Sequence, residues 1–213
     1  VVLGGAGPGA EPSISAFDAV TGTFRKAFYA YAQAYRGGVR VAMSGPDSTG
    51  QSLVVASPAI NSHVTTFTLE DPSKALASFY AFNPVTLYQG VWVAAGHLNG
   101  DGLSELVVGA GPGKNGKAEV SVFDLQGNLQ KNFLAFAQGF TGGVSVAVSD
   151  YNKDGVGDIF ASSGAGAKAT FNVFNYADLS LIDAVFLPTD SLLGTFVANN
   201  PSAGSQPFNP NGT

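Results

Sequence analysis

A pattern that occurs four times along the chain constrains its fold more than any other feature. It starts with a glycine and continues with alternating apolar residues, as GVRVA at 38, GVWVA at 90, GVSVA at 143 and GTFVA at 194. A second marker, rich in glycine and proline, reads GGAGPG at 4–9 and VGAGPG at 108–113, which is a separation of two such periods. Repeats of about 50 residues indicate a protein assembled from copies of one supersecondary unit.

Each repeat contains four short apolar stretches separated by Gly, Pro, Asn or Asp, and we interpret each stretch as a β-strand. We name these strands A to D by their order within a repeat. Strand A is predicted at 39–44, 91–96, 144–149 and 194–199, and strand B at 1–5, 53–57, 106–110 and 158–162. Strand C is predicted at about 12–18, 62–69, 118–124 and 169–175, and strand D at about 24–31, 76–82, 131–136 and 182–187. No stretch shows the apolar period of an amphipathic helix.

Four strands in each repeat predict an all-β fold, a β-propeller with four antiparallel strands per blade. The sequence opens on a strand B and ends on an isolated strand A, so one blade would combine strands from both ends. Pairing 194–199 with 1–5 would close the ring and remove its open edges. We therefore predict one closed four-bladed propeller over 1–199 and a C-terminal tail at 200–213. The predicted blades are 1–36 with 194–199, 37–88, 89–142 and 143–193.

Two other architectures are compatible with the repeats. A solenoid of stacked β-units would usually have shorter repeats and would need distinct end caps, which argues against it. Two chains could also combine into one eight-bladed ring. We favour the ring formed by one chain, as a monomer, because the counts of the four strand types are equal.

The composition narrows the range of partners. The net charge is −5 and the 10 Lys and Arg residues are scattered, so no basic patch is available to neutralise the phosphates of a nucleic acid. No apolar run reaches the length of roughly 18 residues that a membrane span needs, so we expect no membrane insertion. Cysteine is absent, which excludes disulfides and thiol chemistry. The chain begins with Val1, as expected of a trimmed form of something longer.

The stretch DYNKDGVGD at 150–158 joins a predicted strand A to the following strand B. Its spacing would bring several oxygen atoms around one point, and hard oxygen ligands at this spacing are typical of Ca²⁺. The predicted ligands are Asp150, Asn152, Asp154, Val156 through its carbonyl, and Asp158. A turn without metal is the alternative, since Asp-Gly turns are common in hairpins. A bound ion would serve to pin this turn of the scaffold.

The preceding repeat carries a related stretch, HLNGDGLSE at 97–105. The weaker metal candidates are Asn99, Asp101, Leu103 through its carbonyl, and Glu105. His97 replaces the first aspartate, and we favour a metal-free turn because a neutral imidazole is a poor ligand for Ca²⁺. The corresponding stretch GPDSTGQSL at 45–53 keeps a single aspartate, and the last repeat has no acidic set.

The stretches GVSVAVSDYNKDGVGDIFASSGAG (143–166) and GVWVAAGHLNGDGLSELVVGAGPG (90–113) resemble the FG-GAP/VCBS-type repeats of bacterial and extracellular propellers. The shared order is inner strand, acidic loop, second strand and Gly-Pro-rich turn, and the resemblance covers about 1–199. The related α-integrin propellers share the acidic loop as a Ca²⁺ site, so the resemblance implies structural calcium and a secreted or cell-surface protein. Two departures stand out, since the family's propellers commonly have seven blades and only one acidic loop here is intact.

Four residues occupy the same place in the four predicted A strands, namely Arg40, Trp92, Ser145 and Phe196. Each is followed two residues later by alanine, which fits close packing near a narrow axis. Arg40 and Trp92 are candidate ligand-binding residues at the mouth of the ring, with the indole as a stacking surface. We favour the structural interpretation, in which they fill unequal gaps between blades. The aromatic D strands are expected to bury alternate residues and to expose the others.

No catalytic residue is predicted. His63 and His97 are the only histidines, and neither lies in a recognisable nucleophile or paired-histidine motif. We therefore expect a protein without enzymatic activity, a binding or structural module for an unknown protein or glycan. A lectin-like carbohydrate binder is the second hypothesis, because aromatic and amide groups on loops suit sugars. A domain of a polysaccharide-processing enzyme is the third.

Overall fold

A computed structural model describes residues 1–83, 89–113 and 116–186, and within these ranges every regular element is a β-strand. The strands are β1 Val2–Gly5, β2 Ser13–Phe17, β3 Phe24–Tyr29, β4 Val39–Pro46, β5 Ser52–Pro58, β6 His63–Thr68, β7 Ala77–Tyr80, β8 Val91–Gly96, β9 Glu105–Ala110, β10 Glu119–Phe123, β11 Leu129–Leu134, β12 Val144–Ser149, β13 Asp158–Ser163, β14 Thr170–Phe174 and β15 Leu181–Phe186. The described residues include no helix long and apolar enough to cross a membrane.

These strands form four antiparallel sheets that follow the order of the repeats. Sheet I contains β1 to β3, sheet II β4 to β7, sheet III β8 to β11 and sheet IV β12 to β15, and each strand pairs with its neighbours in sequence. The predicted strands B, C and D of all four repeats and three of the predicted A strands are confirmed. The fourth predicted strand A, at 194–199, and the tail at 200–213 lie outside the described residues, so sheet I is described with three strands.

The hydrophobic core lies between successive sheets and is divided into three clusters. The first strands of neighbouring sheets contact one another, β1 with β4, β4 with β8 and β8 with β12. Ile14 and Phe67 belong to the cluster between sheets I and II, Val64 and Leu106 to that between II and III. The cluster between sheets III and IV includes Ile159. Stacking sheets face to face in this way is how a propeller buries its blades.

Strand β5 shows why the sequences of the B strands are continuous apolar runs. Every residue of β5 is buried, because both faces of the strand are covered. Val54 packs in the cluster shared with sheet I, whereas Val55, on the opposite face, packs in the cluster shared with sheet III. Full burial of one such side chain contributes about 1.5–3 kcal/mol. The alternation therefore binds sheet II to both of its neighbours.

The glycine that opens each repeated pattern is required by its backbone conformation and by its surroundings. Gly38, Gly90 and Gly143 have φ angles of 87°, 76° and 85°, a region that side chains with a Cβ rarely adopt. A Cβ on Gly90 would lie 2.8 Å from the carbonyl carbon of Ala59, in the turn after β5 of the preceding sheet. The repeated glycine therefore lets each new sheet start in close contact with the previous one.

The D strands lie on the outside, and their aromatic residues alternate as expected. The rings of Phe28 and Phe67 have centroids 5.4 Å apart, and those of Phe79 and Phe123 are 4.8 Å apart, so one set of D-strand aromatics packs inward. Tyr80, next to Phe79, is 53% exposed. The outward set is thus accessible on the described outer strands.

Candidate functional site

The acidic stretches lie at one end of the sheets, where each strand A turns into strand B. Loop 150–158 connects β12 to β13, and its last residue pairs with Ser149 across the ladder. Loop 97–105 connects β8 to β9 in the same way, with Gly96 opposite Glu105. The two loops are therefore equivalent positions of sheets III and IV.

Loop 150–158 is closed by hydrogen bonds from its own main chain to its side chains. The N–H groups of Asp154 and Gly155 donate to the two carboxylate oxygens of Asp150, at 3.1 and 2.9 Å. The N–H of Val156 donates to Asp154 Oδ1 at 2.8 Å, and Asn152 Nδ2 donates to Asp154 Oδ2 at 2.9 Å. Each predicted side-chain ligand thus faces the loop interior, where it orders the turn.

Asp158 is the buried member of this loop, with an exposure of 2%. Its Oδ2 accepts the N–H of Tyr151 at 3.0 Å and that of Asn152 at 3.3 Å. Burial raises the pKa of Asp158, the two N–H groups oppose the rise, and the carboxylates of Asp154 and Asp150 add to it. Neither ion pair of the described residues includes Asp158, although Lys131 lines the same cavity.

The predicted ligands share one loop, but their carboxylates do not form a ready metal cluster. Across 1–83, 89–113 and 116–186, no group of three or more His, Asp or Glu side chains is placed to hold a metal ion. The donor types are nevertheless hard oxygens, as Ca²⁺ prefers. A cation here would need the amide and carbonyl oxygens as well, and the carboxylates would have to move from the N–H groups towards it.

Loop 150–158 is also attached to its neighbour in sheet III. The N–H of Gly157 donates to the carbonyl of His97 at 2.8 Å. A cavity of about 270 Å³ opens beside the junction, and its walls include Asp154, Lys131 and Tyr176. The conformation of loop 150–158 is thereby coupled to the contact between sheets III and IV.

Loop 97–105 closes by a different device that the sequence did not reveal. His97 Nδ1 lies 2.9 Å from the carbonyl oxygen of Leu103, the same carbonyl that was a candidate metal ligand. The buried Glu105 accepts the N–H of Leu98 at 2.7 Å through Oε2, and Asp101 accepts the N–H of Leu103 at 2.7 Å. Burial raises the pKa of Glu105. The imidazole thus joins the first and seventh positions of the loop directly.

The stretch at 45–53 closes without a carboxylate at the start of its strand B. Asp47 Oδ1 accepts the N–H groups of Thr49 and Gln51, at 2.8 and 3.0 Å. Leu53 occupies the position that Glu105 has in sheet III, and its N–H donates to Ser44 Oγ at 3.0 Å. This stretch is an ordinary side-chain-capped turn.

Arg40 and Trp92 meet between the inner strands of sheets II and III. The guanidinium carbon of Arg40 lies 4.0 Å from the centroid of the indole ring, a cation–π contact. Arg40 Nη1 donates to the carbonyl of Val91 at 3.0 Å, and Ser57 Oγ donates to the same oxygen at 3.0 Å. The two residues therefore contact each other between sheets II and III. Their role as a ligand site stays a prediction.

His63 lies within a row of aromatic rings that sequence patterns did not indicate. Its ring centroid is 5.7 Å from that of Tyr31 and 5.2 Å from that of Tyr80. Nε2 is 3.0 Å from Ser78 Oγ, and burial lowers the pKa of His63. Tyr80 and Ser78 belong to β7 and Tyr31 follows β3, so the tertiary fold brings Tyr31 to the other two. The row is a packing feature of sheets I and II.

Comparisons with known proteins agree with this architecture. No family model matches the chain. The chain is 39% identical to integrin alpha-8 of Gallus gallus over 83 residues, which is 36% of this chain and 7% of the integrin. The structure of the Dos1 propeller matches with a TM-score of 0.50 and 12% sequence identity, over 82% of this chain and 42% of that one. The fold is that of a β-propeller. The match to integrin alpha-8 supports the resemblance to FG-GAP-type propellers. The chain spans a small part of the integrin and less than half of the Dos1 propeller chain.

Proposed function

We propose that this protein is a non-catalytic binding module, an extracellular or cell-surface propeller whose loop 150–158 is stabilised by Ca²⁺. The similarity to integrin alpha-8 and the propeller fold support a binding role rather than an enzymatic one. A protein is the partner class that the integrin similarity favours. A fold alone does not determine function, so the proposal depends on the loop and on binding experiments.

The observation that carries the calcium proposal is the buried carboxylate of Asp158. It sits near two further carboxylates and has main-chain N–H groups as its hydrogen-bond partners. Buried charge without a counter-charge is costly, and a divalent cation would offset it. The oxygens available to such an ion are those of Asp150, Asn152, Asp154, Val156 and Asp158.

A calcium ion at this loop would act on the whole fold. Loop 150–158 is bonded to the neighbouring loop through Gly157 and His97. An ion that binds the folded loop but not the unfolded chain raises the free energy of unfolding by mass action. Calcium would therefore strengthen the junction of sheets III and IV.

We further propose that 194–199 supplies the missing strand of sheet I and closes the ring. The strands equivalent to β1 in sheets II and III are buried along their whole length, whereas Val2 of β1 is 55% exposed. In the described residues β1 pairs only with β2. In sheets II and III, strand A pairs with strand B through Arg40 opposite Ser57 and Trp92 opposite Gly109. The equivalent positions of the repeat are Phe196 and Gly5, so we propose that these two residues pair.

Thermal unfolding with calcium and with a chelator tests the calcium proposal. At a calcium concentration about 100 times Kd, the linkage is worth about 2.7 kcal/mol, which is a shift of about 5–10 °C for a domain of this size. Chelation should lower the Tm of the wild type and leave that of Asp154→Ala unchanged. Asp101→Ala, in loop 97–105, which we expect to bind no metal, should respond to chelation as the wild type does. An identical wild-type Tm in both buffers would contradict the calcium proposal.

The non-catalytic part of the proposal has its own test. Incubation with a panel of polysaccharides should give no change in chain length or reducing ends. Calcium-dependent turnover of any of them would overturn the non-catalytic assignment and would favour the polysaccharide-processing alternative.

A further inference from the structure

We propose that Arg40 is an anion-binding residue that takes the carboxylate group of a ligand, at an axial site formed by Arg40, Trp92 and Tyr35. This inference rests on the proposed binding role and deepens it by naming the chemical group that is recognised. The three residues come from sheet II, from sheet III and from the segment that leads into β4. The site lies at the opposite end of strand β4 from the turn at 45–53, because Arg40 is the second residue of that strand.

The charge of Arg40 is only partly compensated. Arg40 is partly buried, and burial lowers its pKa, although the nearby Tyr35 opposes the shift. The ion pairs of the described residues are Arg25 with Asp18 and Arg36 with Glu11, and neither includes Arg40. A partly desolvated guanidinium without a carboxylate beside it is an unfavourable arrangement unless a ligand supplies the negative charge.

The hydrogen bonding of Arg40 leaves donors for such a ligand. A guanidinium has five N–H donors in one plane, and within the described residues Arg40 uses Nη1, which bonds the Val91 carbonyl. The indole of Trp92 contacts the group on one side, with its centroid 4.0 Å from the guanidinium carbon. We infer that the other N–H donors of Arg40 are available to a ligand, because a guanidinium binds a carboxylate through two parallel hydrogen bonds.

Contacts among the neighbouring segments also restrict the position of the Arg40 side chain. Tyr35 Oη accepts the N–H of Ala59 at 3.2 Å, and the Ala59 main chain also lies against Gly90. Arg40 Nη1 is 2.6 Å from the point that a Cβ of Gly90 would occupy, so glycine there leaves room for the guanidinium. The site is thus preorganised by three segments, and preorganisation lowers the entropy cost of binding a ligand.

A carboxylate fits this site better than a phosphate does. The site supplies one positive charge, and the protein as a whole has a net charge of −5. A doubly charged phosphate would be repelled by that net charge and would leave one of its charges unmatched. A carboxylate carries one charge on a planar group that matches the fork of the guanidinium.

The single tryptophan of the chain makes the site directly observable, because Trp92 is the only residue that emits as an indole. Acetate, glucuronate and N-acetyl-aspartate amide would be titrated at constant ionic strength, with chloride and phosphate as reference anions. We expect a saturable change in Trp92 emission with carboxylates at millimolar concentrations, and none with chloride. Tighter binding of glucuronate would identify a glycan as the source of the carboxylate, and tighter binding of the aspartate amide would identify a peptide.

Three variants decide the role of Arg40. Arg40→Met should abolish the saturable response, and Arg40→Lys should weaken it about tenfold, because lysine keeps the charge and loses the fork. Arg25→Met, which removes an exposed arginine that is paired with Asp18, should titrate as the wild type does. The far-ultraviolet dichroism of each variant shows whether it is folded.

Two results would overturn the inference. One is a wild type without saturable response, and the other is a response that persists in Arg40→Met or that phosphate produces equally well. If Arg40→Met fails to fold, the comparison of Arg40→Lys with Arg25→Met still decides the question. Because the proposed calcium site lies in loop 150–158, a flat titration together with calcium-dependent melting removes this inference and leaves the proposed function intact.

Discussion

Replacing Gly90 by alanine tests the packing that joins one blade to the next. Gly90 has a φ angle of 76°, and an alanine held there costs about 1–2 kcal/mol. Its Cβ would also meet the Ala59 carbonyl carbon at 2.8 Å and Cα at 3.0 Å, in the main chain of the preceding sheet. Overpacking of this kind costs about 1–3 kcal/mol. We therefore expect a total loss of about 2–5 kcal/mol, a large share of the about 5–15 kcal/mol of a typical domain.

Gly100→Ala is the control for this prediction. Gly100 has the same φ angle of 76°, but a Cβ there would have nothing within 4 Å. It should therefore lose the conformational term alone, about 1–2 kcal/mol. Urea denaturation in chelator, with both variants and the wild type, gives the two free energies of unfolding. Equal losses for Gly90→Ala and Gly100→Ala would refute the close contact between sheets II and III.

Three further predictions concern the loops and the core. His97→Asp should allow loop 97–105 to bind calcium, and calcium should then raise the Tm of the variant more than that of the wild type. An equal rise would refute the claim that His97 prevents calcium binding by this loop. Leu106→Ala should cost about 2–5 kcal/mol and the exposed Leu129→Ala less than about 0.5 kcal/mol by urea denaturation, and similar losses would contradict the core assignment. Hydrogen bonds from the N–H groups of Thr21 and Val20 and from Arg25 hold the pKa of Asp18 well below 3.8, so its stabilisation exists above that pH and is lost as the pH falls below it. The stability gap between Asp18→Asn and wild type should therefore be larger at pH 7 than at about pH 3, and a gap independent of pH would contradict this.

The repeats made most of the fold predictable. Strands β5 and β9, the B strands of sheets II and III, are buried on both faces, so their apolar runs stand out between turn residues. The pairing of Arg40 with Ser57 and of Trp92 with Gly109 follows the same repeat. In the described sheets, the apolar runs and turn residues recur at the same positions of each repeat. This recurrence is why the limits of the strands could be predicted.

The contacts between repeats were less predictable, because they depend on side-chain direction across sheets. The sequence places Arg40 and Trp92 at equivalent positions, but only the offset of β4 and β8 brings the guanidinium over the indole. His97 was expected to weaken a metal site, and its bond to the Leu103 carbonyl depends on a rotamer that spacing does not specify. The row around His63 joins residues of β6 and β7 with Tyr31, which follows β3, and no local pattern contains this relation.

Closure of the ring by the last predicted strand is the central claim, and a disulfide between the chain ends tests it most directly. Strand A pairs with strand B through Ala42 opposite Val55 in sheet II and Ala94 opposite Val107 in sheet III. The equivalent positions of the repeat are Ala198 and Leu3, so the closed ring would place these two residues opposite each other. The chain has no cysteine, so Leu3→Cys with Ala198→Cys introduces the only pair. Gly4→Cys with Ala198→Cys is the control, because adjacent residues of a strand point to opposite faces.

Mild oxidation followed by electrophoresis without reductant reads out this experiment. We predict rapid formation of a disulfide within one chain for the Leu3 and Ala198 pair, and slow formation for the Gly4 and Ala198 pair. Equal rates for the two pairs, or a disulfide that forms only between two chains, would contradict a four-bladed ring closed by one chain.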